Sequence, residues 1–257
     1  ERELEDQVNT EANQYIPFPL DEVNIDFQIL GPNQRSPVEN DVLIAAARKE
    51  KVEEHLAVVE VAGLTAVVVD VESYATEAAF GLMRQQLSDP APGRIVAVAD
   101  IGATAMHMNV FRDGESVYSR DQAYAGNQLT QEIQRRYGLP YDEAERAKCH
   151  GGLPPDYHDE VLLPFMENLA TEVARALQFF HAATSHGKVD HLLLAGGCSV
   201  IPGLAEVIAG RTGIASILRG NPFAGMALGE VNPEQLELDA PALLIACGLA
   251  MRRFDPA

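Results

Sequence analysis

The sequence predicts an α/β protein in two lobes, and three observations predict it. Apolar, β-branched runs alternate with amphipathic helical stretches along the chain. Two of those runs end in small-residue turns, at Asp100–Thr104 and at Gly196–Gly197. Ser88-Asp-Pro-Ala-Pro-Gly93 is rich in breakers and makes the best internal boundary.

Residues 1–14 read as a polar helix, stopped where Tyr15-Ile-Pro-Phe-Pro19 forces an extended path. This start lacks an initiator methionine and looks like the interior of a helix, so the natural N-terminus is expected upstream. Val23, Ile25, Phe27 and Ile29 alternate with polar residues, which predicts a half-buried strand. A polar loop from Gly31 to Asn40 leads to a second strand, Asp41 to Ala47. A helix over 49–62 ends at Gly63. Thr65 to Val71 reads as a β-branched strand and Ser73 to Leu87 as a helix.

After the boundary, strands are expected over 94–99, 105–111 and 116–120, with Asp113-Gly114 as the hairpin turn between the last two. Gly126-Asn127 opens a helix that ends at Gly138, and Pro140 opens another. Leu162, Phe165, Leu169, Val173, Leu177 and Phe180 keep spacings of three and four, an amphipathic helix with Pro164 near its start. A strand from Val189 to Ala195, a short helix from Pro202 and an apolar helix over 241–254 complete the series.

The chain has 257 residues, 47% of them hydrophobic, as expected of a folded globular protein. Its 38 acidic residues against 19 basic give a net charge of −19. That excludes a binder of nucleic-acid backbones and disfavours unaided docking on an anionic membrane. No apolar run approaches the ~20 residues of a membrane span, and no signal-peptide pattern is present. Cys149, Cys198 and Cys247 are far apart, with no CxxC pair, so neither zinc nor a disulfide framework is indicated and a reducing compartment is the simplest setting.

The chemistry-bearing stretch is Arg94 to Thr104, an apolar strand running into Asp100-Ile101-Gly102-Ala103-Thr104. A tight turn of small residues brings backbone N–H groups close to an anion. An aspartate at the strand end can hold Mg²⁺ through its water shell. The turn is thus a candidate phosphate cradle, with an ordinary strand-end turn as the alternative. At the second bend, Gly196 and Gly197 remove Cβ atoms where a flat ring or ribose could lie, and a helix N-terminus follows Ser199.

These segments together resemble the actin-like ATPase superfamily, which includes sugar kinases, large heat-shock chaperones, FtsA and MreB. Asp100–Thr104 is similar to its second phosphate hairpin, and Leu194-Ala-Gly-Gly-Cys-Ser-Val-Ile-Pro202 to its adenosine motif. Glu72-Ser-Tyr-Ala-Thr-Glu-Ala-Ala-Phe-Gly81 resembles the first connecting helix and Ala246-Cys-Gly-Leu-Ala250 the second. Ala144-Glu-Arg-Ala-Lys148 resembles the helix whose Glu and Lys bond the ribose hydroxyls. The five matches stand in the family's order. Tyr15-Ile-Pro-Phe-Pro-Leu-Asp-Glu-Val-Asn-Ile-Asp-Phe27 and Val69-Asp-Val-Glu-Ser-Tyr74 narrow the resemblance to the PilM family of type IV pilus assembly proteins, over essentially the whole chain.

The resemblance implies a two-lobed actin-like fold of the FtsA/PilM type, without the N-terminal part of the first lobe. Residues 1–60 would be the small insertion subdomain, and 61–93 with 236–257 the rest of the first lobe. Residues 94–125 with 189–235 would form the second-lobe core, and 126–188 its helical subdomain. It implies ATP and Mg²⁺ as ligands, with Asp100 at the metal and Gly102, Ala103 and Thr104 at the β- and γ-phosphates. Gly126 and Asn127 would lie near the phosphates, Glu145 and Lys148 at the ribose, and Gly196, Gly197 and Ser199 at the adenosine. Glu72 would act as general base or water-positioner; a solvated Glu at a helix start is the alternative. Without the resemblance, Glu145 and Lys148 read as a surface ion pair.

The first phosphate hairpin is missing, Ala103 stands where many members have Gly, and Ser73 where Pro is common. The expectation is nucleotide binding with weak or no hydrolysis. The implied partner is the cytoplasmic N-terminal tail of PilN, with other pilus assembly proteins and self-association beyond it. The implied setting is the cytoplasm, with recruitment to the inner membrane through partners and a role in twitching motility. An active ATPase, a sugar-kinase-like phosphotransferase and an FtsA-like cell-division protein are the alternatives. Tyr15, Ile16 and Phe18 either present apolar side chains to a peptide or anchor the small subdomain's core.

Overall fold

The computed structural model describes the chain except residues 1–6, 9, 34–35, 88–90 and 255–257. Two compact units divide it, Glu1–Val69 and Asp70–Ala257.

In the first unit, β1 (Val23–Pro32) and β2 (Asn40–Arg48) pair as an antiparallel hairpin. The predicted alternation holds as far as Gln28, since Val23, Ile25 and Phe27 are covered while Asn24, Asp26 and Gln28 are exposed; Ile29, expected to be covered, is 49% exposed where the register shifts before Gly31. Helix α1 (Lys49–Val61) follows β2 directly, and Gly63 beyond it has φ +73°, the left-handed backbone that ends a helix at low cost. Gln7, Val8 and Thr10–Ala12 have helical backbone, as predicted; residues 1–6 and 9 of that predicted helix lie outside the described residues.

One expected strand does not form. Leu64 to Val71 carries no ladder among the described residues, and Val67 is 91% exposed. A β-branched run favours strand dihedrals, but a strand also needs a neighbour to take its N–H and C=O groups.

The second unit is built on a five-stranded sheet in the order β5-β4-β3-β6-β7. Its strands are β3 (Ile95–Ile101), β4 (Met106–Arg112), β5 (Glu115–Gln122), β6 (His191–Ala195) and β7 (Ser216–Arg219). β3, β4 and β5 are antiparallel neighbours, while β6 runs parallel to β3 and β7 parallel to β6. The β4–β5 turn places Asp113 at φ +57° and Gly114 at φ +103°, both left-handed, as a two-residue hairpin loop requires.

β3 is buried on both faces except at Asp100, which explains its unbroken apolar run. One face, with Ala97, Ala99, Ile101, Met106 and Met108, packs under α3 (Gly126–Tyr137), α5 (Leu163–Ala183) and α6 (Leu204–Thr212). α4 (Tyr141–His150) stands beside α3. The other face, with Val96, Val98, Phe111 and Leu193, packs under α2 (Glu72–Met83) and Leu244 of α8 (Leu244–Met251). Phe80 stacks on Phe111 with ring centres 4.3 Å apart. α2 and α8 touch backbone to side: a Cβ built on Gly248 would lie 1.8 Å from the Ala75 carbonyl oxygen. β7 and the short α7 (Pro233–Asp239) were not expected from the sequence.

Candidate functional site

Asp100 stands near the end of β3 as that strand's one incompletely buried residue. Its register partners are His107 on β4 and Ala195 on β6, and His107 is in turn opposite Asp121 on β5. Asp100, His107 and Asp121 therefore form a row across three strands. His107 Nδ1 is 2.7 Å from Asp121 Oδ1, and its Nε2 is 3.7 Å from Glu72 Oε2. Glu72 is the first residue of α2, where a negative charge meets the positive end of the helix. Burial pushes the Asp100 carboxyl up to about 6, with His107 opposing the shift and Glu72 adding to it. A cleft of about 330 Å³ beside this row is lined by Glu72, His107, Asn109 and Asp121, among others.

The turn after Asp100 is closed by the Gly102 N–H, which donates to the Ala105 carbonyl at 3.0 Å. This corrects the expectation that all three turn residues offer donors, because Gly102 supplies the turn itself. Ala103 and Thr104 are exposed, and their N–H groups have no protein acceptor among the described residues. The carbonyls of Gly102 and Ala103 accept the N–H groups of Gly126 at 3.0 Å and Asn127 at 2.8 Å. Those donors fasten the turn to α3, which sets Gly126 and Asn127 directly against the Asp100–Thr104 bend. The helix cap is Ala125, whose N–H donates to Gln128 Oε1 at 2.7 Å.

Gly196 is required at the second bend. Its φ is +76°, and a Cβ there would sit 2.4 Å from the Ile101 carbonyl oxygen and 2.5 Å from Asp100 Oδ1. The two bends thus touch, with the Asp100 carboxylate lying against the Gly196 backbone. Cys198 Sγ reaches the Gly102 carbonyl at 3.7 Å, and burial raises its thiol to about 11, which keeps it an unreactive packing group. Ser199 Oγ donates to the Gly196 carbonyl at 2.7 Å, so its hydroxyl holds the bend. Gly197 is exposed, and a Cβ on it would meet nothing within 4 Å, which leaves a bare surface for a flat group.

Glu145 and Lys148 stand one turn apart on α4 and meet at 2.7 Å. Both reach the buried Thr130 of α3: its Oγ1 donates to Glu145 Oε2 at 2.6 Å and accepts from Lys148 Nζ at 2.9 Å. Burial pushes the Glu145 carboxyl up, but the hydrogen bonds from Lys148 and Thr130 outweigh it and hold it below the ordinary carboxylate range. The pair is therefore no loose surface bridge. It ties α4 to α3, whose first turn carries the Asp100 bend.

The structure thus joins Asp100–Thr104, Gly126–Asn127 and Gly196–Ser199 directly. Thr130 links Glu145 and Lys148 to them, and His107 stands between Asp100 and Glu72. His107, Asp121 and Thr130 were not identified from the sequence, and Cys198, though inside the quoted 194–202 motif, was given no role. Only strand register and helix packing bring the first three in, and no spacing in the chain encodes that.

Among the described residues, no group of three or more His, Cys, Asp or Glu converges to hold a metal ion. A magnesium ion at Asp100 would therefore keep most of its water shell and take its remaining ligands from a bound phosphate, which is how that ion prefers to bind. The residues fit this arrangement: a carboxylate disfavoured by burial, two turn N–H groups without a protein acceptor among the described residues and a bare glycine surface. In the first unit, Tyr15 is 79% and Phe18 43% exposed, with the Arg48 guanidinium 5.7 Å from the Phe18 ring centre. Neither is a core anchor. Among the described residues, no helix is long and apolar enough to cross a membrane.

A family model for the type IV pilus assembly protein PilM matches residues 1–254. A solved PilM–PilN type IV pilus biogenesis complex is similar over 99% of this chain and 73% of that one, at 31% identity and a TM-score of 0.79. The ethanolamine utilization protein EutJ from Carboxydothermus hydrogenoformans is similar over 75% of this chain and 59% of its own, at 22% identity and a TM-score of 0.50. MreB5 of Spiroplasma citri bound to ADP is similar over 80% and 65%, at 14% identity and a TM-score of 0.50. The last two likenesses concern the fold, which is of the actin-like type.

Proposed function

The chain belongs to the type IV pilus assembly protein PilM family, and from that premise we propose that it is a nucleotide-responsive scaffold holding the cytoplasmic tail of PilN. Type IV pilus assembly is the setting that the family gives. ATP binding, the grip on the PilN tail and location at the cytoplasmic side of the inner membrane are the parts proposed.

The observation that carries the nucleotide part is the contact between the two glycine-bearing bends, with Gly196 backed against Asp100. One small bend after a strand is common. Two bends on adjacent parallel strands, sharing a carboxylate, are what a triphosphate and its magnesium need. In this reading Asp100 faces the hydrated cation, and the Ala103 and Thr104 N–H groups face the phosphates. Gly197 lies beneath the nucleoside, and Glu145 and Lys148 exchange part of their mutual bond for the ribose hydroxyls. The magnesium supplies charge neutralisation for the phosphates. Glu72, 66% exposed and with His107 Nε2 3.7 Å from its carboxylate, would orient a water in this reading. The turn leaves two N–H groups without a protein acceptor among the described residues in place of three, and the α3 donors are spent on the turn, so phosphate stabilisation is weak and hydrolysis slow or absent.

The partner part rests on the family and on the similarity to a PilM–PilN complex. It is supported by the exposure of Tyr15 and Phe18, aromatic groups that a peptide can cover. Calorimetric titration separates the parts: Mg–ATP in one run, a synthetic PilN tail peptide in a second, and the peptide on the ATP-loaded protein in a third. Binding of both, with a peptide affinity that changes when ATP is present, is expected. Peptide affinity indifferent to ATP would remove the coupling, and no heat with ATP would remove the nucleotide role.

A further inference from the structure

Opposite the glycine bends, at the other end of β3 and β6, the charge balance inverts. The five residue steps of β3 from Ile95 to Asp100 put this end about 17 Å from Asp100. The whole chain carries two acids for each base. Here two neighbouring clefts, of about 550 and 410 Å³, are lined by Arg94, Arg112, Lys188 and Arg211, with Asp190 as the one acid among the described residues. Lys188 belongs to both clefts.

Asp190 is already engaged: its carboxylate accepts from Arg94 at 2.9 Å and from the Ile95 N–H at 2.8 Å. It serves to join β3 to the strand-entry loop. The carboxylate nearest Arg112 among the described residues is that of Asp113, at 3.8 Å, and His186 Nδ1 lies 3.4 Å from its guanidinium. Lys188 and Arg211 are exposed and have no acidic partner among the described residues. The second cleft also has an apolar floor, since the buried Leu177, Val189 and Ile214 lie beneath the cationic rim.

We infer that this paired cleft is a docking site for a short acidic peptide segment of a partner protein, one that alternates carboxylates with apolar side chains. The carboxylates would meet Lys188, Arg211 and Arg112, and an apolar side chain would fill the floor of the second cleft. Charge decides between this occupant and larger polyanions. Screening confines each charge to about 8 Å at physiological salt, so a short segment feels the cleft's cations alone. A bilayer or a nucleic acid would also face the surrounding acidic surface of a chain at −19. The apolar residues are recessed and would not reach a membrane interior.

The test uses fluorescence anisotropy of a fluorescein-labelled peptide of repeated Glu-Glu-Leu, with Gln-Gln-Leu and Glu-Glu-Ser peptides as controls. Vesicles containing phosphatidylglycerol are run in parallel by sedimentation. Saturable binding of the Glu-Glu-Leu peptide that weakens with added salt is expected, with both controls at least fivefold weaker. Lys188→Glu combined with Arg211→Glu should lower that affinity tenfold or more. Arg135→Glu combined with Arg146→Glu changes net charge equally at exposed positions elsewhere and should change it less than threefold. The altered residues are exposed, so both double variants should fold, and a cooperative thermal melt of each checks that. No binding below 1 mM, equal losses in the two double variants, or vesicle binding with no peptide binding would each overturn the inference.

Discussion

Replacing Asp100 by Asn tests whether the site stores an unsatisfied charge. Burial raises this carboxyl to about 6 from the ordinary 3.8. The folded protein thus holds the proton more tightly than the unfolded chain. The fold is therefore least penalised by this group at low pH, and stability is lost as pH rises from 3.8 through about 6. A tenfold change in proton affinity is worth about 1.4 kcal/mol, so the charged form costs about 3 kcal/mol at pH 7.5. Asn has the shape of the neutral acid without its titration. Asp100→Asn should raise the unfolding free energy by about 3 kcal/mol at pH 7.5, as an upper bound, and by about half that at pH 5, where the folded parent has regained most of its proton while the unfolded chain stays largely ionised. Urea denaturation of both proteins at the two pH values, with m-values compared, measures this directly. An Asn variant that is no more stable at pH 7.5, or whose advantage does not change between pH 7.5 and 5, would refute the reasoning. The same variant should lose Mg–ATP affinity, because the charge that is costly in the empty fold is the one a hydrated cation would offset.

Other substitutions probe the scaffold around that charge. Gly196→Ala adds a Cβ within 2.5 Å of Asp100 Oδ1 at a left-handed φ; it should cost about 2–3 kcal/mol by denaturation and abolish nucleotide binding in calorimetry. Gly248→Ala drives a Cβ into the Ala75 carbonyl, so α2 and α8 must separate; a loss of about 2–3 kcal/mol, read as a lower melting temperature, is expected with little change in the chemistry at Asp100. Lys148→Met removes the donor shared by Glu145 and Thr130. It should weaken ATP binding roughly tenfold while changing stability by less than about 1 kcal/mol, and equal affinity for ATP would remove the ribose assignment.

The fold was legible wherever local chemistry decided it. The Asp113-Gly114 turn, the helix end at Gly138 and the spacing of α5 each carry their own signal, and each forms as read. The strand expected at 65–71 shows the limit. Its valines specify dihedrals, but no ladder forms there among the described residues. β7 has only four residues and borrows its register from β6, so little in Ser216–Arg219 announces it. The site divides in the same way. Asp100 and Gly196 are readable because turns are local, whereas the spacing of Glu145 and Lys148 alone reads as a surface ion pair and only the family resemblance singles it out. His107 becomes a neighbour of Glu72 and Asp121 only through the register of β4 between β3 and β5. Thr130 matters because α3 lies against α4. The spending of the Gly102, Gly126 and Asn127 N–H groups is a closing contact between two turns, which residue types alone do not specify.

Hydrogen–deuterium exchange with and without Mg–ATP tests most directly whether the two bends form one nucleotide site. Slower exchange is expected together at 100–104, 145–148 and 196–199 on nucleotide addition, and its loss is expected in Asp100→Asn. Absence of binding at millimolar ATP, or bound nucleotide that protects one bend and leaves the other unchanged, would contradict it.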